Sequence, residues 1–364
     1  MINKYQFEFI ILYFMHKINT ALTKFLYNSP YSLPWRPPFF LQGLLFFSHF
    51  SIVLNFFNIF GLISLKFHVI LTIFMREIRQ NLFLFKIRRV FMALSIPTIT
   101  LNDGRAMPLL GLGTYKSTEK EAEKAIVTAA KYGYRLIDTA SSYKNEDSIG
   151  RGIRASGIPR EDFFITTKVW NTAQRVGDIE GAFNRSLDRL RLDYVDLYLI
   201  HWPVPGCYPE TWHALEKIRE SGRAKSIGVS NFEESHLTAL FEFSGVIPAV
   251  NQIECHPLWN RKPLIAFCRS HGIAVQAYAP LARGLYLNRE IMQQLAEKYV
   301  RTEAQIGLRY LVQQGISVIP KSTQPDRIFA NADVFDFELS EADMALIDTM
   351  DEQLRSASIP DDLL

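Results

Sequence analysis

Four ionisable side chains stand where apolar stretches of the sequence end. Asp138 follows a short β-compatible run, and Tyr143 lies five positions further on, among small and polar residues typical of a loop. Lys168 and His201 end two later apolar runs of the same kind. A buried carboxylate is costly unless it is paired, so Asp138 calls for a cation nearby. A single Asp could equally cap a helix, but four such groups at the ends of three consecutive predicted strands favour proton-transfer chemistry.

Polar and special residues also occupy the ends of the other predicted strands. Strands of a parallel barrel carry the active site at their carboxyl ends, so these residues are candidates for the same site. They are Gly113, Thr114 and Tyr115, then Trp202 and Pro203, Ser230 and Asn231, Gln252, Tyr278, Pro280 and Leu281, and finally Lys321 and Ser322.

The elements that position these residues follow a regular alternation of strand and helix. About 270 residues from Ile96 onward contain eight such units, and the strands are continuously apolar, as strands buried on both faces are. This pattern predicts an α/β fold, a (β/α)8 TIM barrel, beginning with a strand at 109–111. A hairpin with Asp103-Gly104 at its turn precedes the barrel and should close its bottom. The alternative is a doubly wound open sheet, which typically has Gly-x-Gly-x-x-Gly after its first strand. This sequence lacks that motif there.

Together these residues resemble the motifs of the aldo-keto reductase superfamily. The resemblance covers residues 96–351 and is strongest to the short-loop enzymes of the 2,5-diketogluconate reductase and prostaglandin F synthase type. The matching pieces are Asp138-Thr139-Ala140 with Tyr143, Lys168, Leu199-Ile200-His201-Trp202-Pro203, Gly228-Val229-Ser230-Asn231-Phe232, Asn251-Gln252 and Ile319-Pro320-Lys321-Ser322.

The resemblance implies reduction of aldehydes and ketones by a hydride from NADPH. Tyr143 would then be the general acid that protonates the carbonyl oxygen, and Lys168 would lower its pKa from the usual value near ~10. Asp138 would pair with Lys168 and hold its charge in place. His201 would donate a hydrogen bond to the carbonyl oxygen and orient it.

The resemblance also implies a cofactor site. Tyr278 would stack on the nicotinamide, and cations near the adenosine 2′-phosphate would favour NADPH over NADH. The residues implied are Gly113, Thr114, Ser230, Asn231, Gln252, Tyr278, Pro280, Leu281, Lys321, Ser322, Arg327 and Asn331. The family usually has Glu or Gln before the adenine-reading Asn. Ala330 occupies that position here, so we expect one adenine contact to be missing.

An aromatic wall of Tyr115, Trp170 and Trp202 is expected around a small carbonyl substrate. The three cysteines are too few and too scattered for a disulfide framework or a zinc site, so no metal is expected. We expect a cytoplasmic monomer.

The sequence leaves two other functions open. The barrel could be a regulatory or binding subunit. The potassium-channel β subunits, which resemble this family, are an example of such a role. It could also reduce carbon–carbon double bonds, but the relatives that do so have Glu in place of His201, which argues against this alternative.

Residues 1–91 differ from the rest of the chain. They carry ten Lys/Arg and two Glu, a net charge of +8, which leaves −5 for the remainder of a chain whose total is +3. The mild basicity therefore does not indicate nucleic-acid binding by the barrel. The segment is apolar but lacks an uninterrupted span of ~20 residues. We expect a dispensable extension or a gene-model artefact, with Met92 as an alternative start. A membrane anchor, which would make the protein membrane-associated, and an unrecognised folded element remain open.

Overall fold

A computed structural model describes residues 94–363 of the chain, so the predictions for residues 1–91 lie outside the described residues. The described part begins with an antiparallel hairpin of β1 (Thr98–Thr100) and β2 (Ala106–Pro108). Gly104 at its turn has a φ of 85°, a left-handed conformation that glycine adopts without steric cost. The predicted hairpin is therefore confirmed.

Eight parallel strands follow, each paired with the next in chain order. Two further parallel bridges, Leu110 with Val318 and Gly113 with Lys321, join the first of these strands to the last. The predicted (β/α)8 barrel is confirmed. Its strands are β3 (Gly111–Gly113), β4 (Leu136–Asp138), β5 (Phe164–Val169), β6 (Val195–Ile200), β7 (Ala224–Ser230), β8 (Val250–Glu254), β9 (Ala274–Tyr278) and β10 (Ser317–Val318).

Helices surround the strands, and several begin with a side-chain cap. Thr118 and Glu121, for example, form a capping box in which the Thr118 amide donates to the Glu121 carboxylate at 3.1 Å. The helices are α1 (Glu119–Lys131), α2 (Glu146–Ala155), α3 (Asn171–Val176), α4 (Ile179–Leu190), α5 (Tyr208–Glu220), α6 (Glu234–Phe243), α7 (Lys262–Ser270), α8 (Glu290–Tyr299), α9 (Glu303–Val312), α10 (Pro325–Ala332) and α11 (Glu341–Asp348). Among residues 94–363, none of the helices has both the length and the apolar character needed to cross a membrane.

The first barrel strand lies two residues later than predicted, at Gly111–Gly113 rather than 109–111. The reason is that the Leu109 amide still donates to Pro97 O of the hairpin segment, at 2.8 Å. A Cβ on Gly111 would lie 2.1 Å from the Leu136 side chain, and one on Gly113 would lie 2.6 Å from Ile319 O. The two glycines therefore allow β3 to approach its neighbours on both sides.

Two apolar clusters form the core of residues 94–363. The larger lies between the strands and the helices, and the smaller occupies the barrel interior. Met107 of the hairpin belongs to the interior cluster and is fully buried, together with Leu136 and Leu197. The hairpin therefore closes the amino end of the barrel, and the carboxyl ends of the strands remain for chemistry.

Candidate active site

The four predicted catalytic residues converge at the carboxyl ends of three adjacent strands. Asp138 is the last residue of β4, Lys168 is the penultimate residue of β5, and His201 directly follows β6. Tyr143 ends a single 3-10 turn after β4. Because β4, β5 and β6 are neighbours, the four side chains lie within one small region.

Lys168 and Asp138 form a buried ion pair. The Lys168 ammonium donates to both carboxylate oxygens, at 2.7 and 2.8 Å, and to Thr139 O at 3.0 Å. Their side chains are 0% and 2% exposed. Burial lowers the pKa of Lys168, whereas attraction from Asp138 opposes this shift. The predicted pairing is confirmed.

The predicted lowering of the Tyr143 pKa is not found in this structure. Burial raises the pKa of Tyr143 well above its usual range, and the negative charge of Asp138 raises it further. Burial is the largest cause. Lys168 lies 3.4 Å from the Tyr143 hydroxyl, and the Asp138 carboxylate directly against it offsets its charge. Tyr143 therefore keeps its proton and can donate it.

His201 is a buried imidazole whose surroundings favour the neutral form. Burial lowers its pKa well below the usual range, and the nearby Lys168 charge lowers it further. Its ring packs edge-on against Tyr143 and Trp170, with centroids 5.7 and 5.0 Å apart. Its Nδ1 lies 3.5 Å from the Ser142 hydroxyl. A neutral imidazole here donates from one nitrogen only and remains a hydrogen-bond donor near Tyr143.

Polar groups predicted to hold a cofactor amide lie beside the ion pair. The side-chain NH2 group of Asn231 donates to His201 O at 2.9 Å and to Ser230 Oγ at 3.1 Å. The side-chain oxygen of Asn231 accepts from the Tyr278 hydroxyl at 2.7 Å. Gln252 donates to Asp138 at 2.8 Å. The residues predicted to hold the cofactor amide are thus hydrogen-bonded to His201 and Asp138.

The residues predicted for the phosphate and adenine end lie around β10 and α10. Lys321 and Arg327 are exposed, and Ser322 Oγ accepts from the Gln324 amide at 3.1 Å just before α10 begins. Exposed cations beside a helix start suit a phosphate, so the donor set fits such a group. Asn331 is buried on α10, one residue after Ala330.

The remaining cofactor candidates are backbone or turn positions. The Gly113 amide donates to Pro320 O at 3.2 Å, and the Thr114 hydroxyl donates to Asp138 O at 2.8 Å. Pro280 O accepts from the Tyr286 hydroxyl at 3.2 Å, and Leu281 follows in a tight turn. These contacts fix the loops on either side of the barrel mouth.

Two of the three predicted wall aromatics contact the catalytic residues. The Tyr115 ring lies 5.0 Å from that of Tyr143, and the Trp170 ring lies at the same distance from His201. Trp202 is half-buried, and its backbone oxygen accepts from Gln174 at 3.0 Å. Among the described residues, no ring contact joins Trp202 to these four side chains.

The C-terminal tail contributes contacts near the site that sequence patterns did not indicate. Glu254 at the end of β8 accepts from the amides of Ser356 and Ala357, at 2.6 and 3.0 Å. Asp362 pairs with Arg175 and accepts from Asn171 at 3.2 Å. Because α3 begins directly after Trp170, the tail is held next to the predicted substrate wall.

A cavity of about 290 Å³ lies at the other end of the barrel, between the hairpin and the amino ends of the strands. Asp196 of β6 contributes a carboxylate to the lining of this cavity. The carboxylate accepts from Arg160 at 2.6 Å and from the Ile165 amide at 2.9 Å. The convergent reactive groups therefore lie at the mouth rather than in this cavity. Within residues 94–363, no cluster of three or more His, Cys, Asp or Glu residues could hold a metal ion.

Comparison with known proteins agrees with this geometry. The family model described as "Aldo/keto reductase family" matches residues 109–352. Glyoxal reductase of Bacillus subtilis is 47% identical over 268 residues, which are 73% of this chain and 97% of that protein. The 9,11-endoperoxide prostaglandin H2 reductase of Trypanosoma cruzi is 44% identical over 267 residues, 72% of this chain and 94% of that protein.

Solved structures give the same result. An aldo/keto reductase from Brucella melitensis is similar with a TM-score of 0.69 and 46% identity, covering 71% of this chain and all of that chain. A Bombyx mori aldo-keto reductase in complex with NADP has a TM-score of 0.69 and 39% identity, covering 73% of this chain and 96% of that chain. Together with the barrel and its clustered side chains, these matches show that the chain belongs to the aldo/keto reductase family.

Proposed function

We propose that this protein reduces aldehydes and ketones to alcohols with NADPH. The observation that carries the proposal is the Tyr143 hydroxyl 3.4 Å from a Lys168 that is itself ion-paired and fully buried. This arrangement supplies a proton donor and a fixed positive charge at one point of the barrel mouth. The similarity to named reductases supports the same reaction class.

NADPH supplies the hydride that is transferred to the carbonyl carbon. Asn231, Gln252 and Ser230 would hold its carboxamide, and Tyr278 would lie against its ring. Lys321, Ser322 and Arg327 would meet its 2′-phosphate. The NADP complex of the Bombyx mori relative supports this choice of cofactor.

Tyr143 would give its proton to the carbonyl oxygen as negative charge develops there. An alkoxide is about as basic as hydroxide, whose conjugate acid has a pKa of ~15.7. A phenol, whose ordinary pKa is ~10, is a stronger acid than the alcohol product, so transfer from it is favourable. Burial reduces this advantage because it raises the pKa of Tyr143. Lys168 would stabilise the phenolate through its contact with the hydroxyl oxygen, and His201 would donate to the substrate oxygen and orient it.

A substrate panel tests this proposal. The purified full chain should consume NADPH with aromatic aldehydes such as nitrobenzaldehyde and with small dicarbonyls such as glyoxal, which one relative is named for. Loss of NADPH absorbance measures the rate. Absence of turnover with every aldehyde and ketone in the panel would favour a binding or regulatory role instead.

The cofactor preference should depend on Lys321. We expect Lys321→Met to weaken NADPH binding about 10-fold or more, because one charged hydrogen bond contributes ~1.5–3 kcal/mol. NADH binding should change little, because NADH lacks the 2′-phosphate. Titration of each cofactor by quenching of protein fluorescence measures both affinities, and Lys217→Met, which changes an exposed lysine on α5, is the control. Equal affinities for the two cofactors in the unaltered protein would show that the phosphate site is wrongly assigned.

We also propose that residues 1–91 are dispensable for catalysis and that the barrel acts as a cytoplasmic monomer. All four candidate catalytic residues and the closing hairpin lie downstream of Met92. A chain that begins at Met92 should fold and match the full chain in kcat and KM. If it were insoluble or inactive while the full chain turned over, the upstream segment would be needed for folding. If only the full chain sedimented with membranes in cells, the segment would be an anchor.

A further inference from the structure

A chain of buried hydrogen bonds runs through the barrel interior from the ion pair to the hairpin. Gln252 Nε2 donates to Asp138 Oδ2 at 2.8 Å and to Gln276 Oε1 at 2.6 Å. Gln276 Nε2 donates to Ser317 Oγ at 3.2 Å, and Ser317 Oγ donates to Pro108 O at 2.9 Å. The side chains of Gln252, Gln276 and Ser317 are at most 1% exposed. None of the roles assigned above uses Gln276 or Ser317.

The direction of these bonds is fixed at both ends by chemistry. The Asp138 carboxylate, paired with Lys168, can only accept, so Gln252 must turn its NH2 group toward it. The Pro108 carbonyl also only accepts, so the Ser317 hydroxyl must donate to it and accept from Gln276. Gln276 therefore presents its oxygen to Gln252, because its NH2 group faces Ser317. Each of the two amides has one orientation that satisfies every partner.

The side-chain oxygen of Gln252 remains available to a ligand. Both of its N–H groups are used, one by Asp138 and one by Gln276. No donor within residues 94–363 reaches its Oε1. Gln252 therefore offers an acceptor at the amide site, where the Asn231 side chain also lies.

We propose that Gln276 is a positioning residue that fixes the Gln252 amide so that its Oε1 accepts from the carboxamide N–H of the nicotinamide. The inference rests on the proposed use of NADPH. Without the Gln276 oxygen, a Gln252 N–H would lose its partner, and the amide could rotate away from the cofactor. Gln276 touches neither the cofactor nor the reacting atoms, and it acts through Gln252.

Gln276→Met tests the proposal because Met has a similar volume and lacks the amide. We expect the dissociation constant for NADPH to rise about 10-fold and kcat to fall. Binding of adenosine 2′,5′-bisphosphate, which lacks the nicotinamide, should stay within about twofold of the unaltered protein. Isothermal titration calorimetry measures both affinities without turnover. A merely structural role would weaken both ligands or neither.

Gln276→Glu provides a rescue that depends on pH. The protonated acid keeps both bonds, since its carbonyl oxygen accepts from Gln252 and its hydroxyl donates to Ser317. The ionised acid loses the donor and adds a negative charge close to Asp138. NADPH affinity should therefore approach that of the unaltered protein at acid pH and fall as pH rises, whereas adenosine bisphosphate binding should show no such added pH dependence.

Ser317→Ala should produce the Gln276→Met effect in weaker form. Ser226→Ala is its matched control, because Ser226 is a fully buried barrel serine that donates to hairpin residue Asp103 outside this chain of bonds. The proposal is overturned if Gln276→Met binds NADPH as tightly as the unaltered protein, or weakens both ligands equally. A protein that binds NADPH with this pattern but reduces no carbonyl would leave the inference standing and remove the proposed function.

Discussion

Tyr143→Phe is expected to lower kcat for aldehyde reduction by at least about a hundred-fold, because a general acid contributes roughly 10²–10⁴ to the rate. The substitution removes one oxygen and leaves the ring against Tyr115 and His201, so little else should change. The hydroxyl contacts Lys168 at 3.4 Å, and it is the candidate proton donor whose pKa burial holds well above its usual range.

The measurement is steady-state reduction of nitrobenzaldehyde by the full chain, with NADPH affinity determined separately. NADPH should still bind to the Tyr143→Phe protein. Tyr194→Phe is the matched control, because it also removes a tyrosine hydroxyl, from a ring that packs against Arg160 just before β6, at the amino end of the barrel. Turnover by the Tyr143→Phe protein within about twofold of the unaltered protein would exclude Tyr143 as the proton donor.

The architecture could be predicted because a barrel requires a regular alternation of strands and helices, which is visible in the sequence. Strands buried on both faces are continuously apolar, so polar groups such as Asp138 and His201 identify the ends where chemistry occurs. The first strand begins later than predicted because the Leu109 amide donates to Pro97 O of the hairpin segment, at 2.8 Å. Such distances are tertiary, and local pattern does not contain them.

The electrostatics of the site were harder to predict than the identity of its residues. The sequence indicates that Lys168 and Tyr143 are close. It does not indicate that the Asp138 carboxylate offsets the Lys168 charge, or that burial is the largest influence on the Tyr143 pKa. Gln276 was missed although it is a polar residue inside an apolar strand, a signal that was available. The tail contact at Asp362 had no such signal, because its partners are 187 and 191 positions away in the chain.

Lys168→Met is expected to abolish reduction and to destabilise the fold by about 3–5 kcal/mol, the usual cost of leaving a buried charge without its partner. Asp138 would remain 2% exposed with only the Gln252 donor and no cation. Urea unfolding followed by circular dichroism measures the loss. Arg185→Met, which breaks the exposed pair with Asp178, is the control and should cost no more than about 1 kcal/mol.

The double variant Asp138→Asn with Lys168→Met separates stability from catalysis. It removes both buried charges, and the side-chain oxygen of the introduced asparagine can still accept from Gln252, so most of the lost stability should return. Activity should not return, because Tyr143 would have no ammonium to stabilise its phenolate after proton transfer. If the double variant regained both stability and turnover, the Lys168–Asp138 pair would serve the fold alone, and the source of charge stabilisation for Tyr143 would have to lie elsewhere in the barrel mouth.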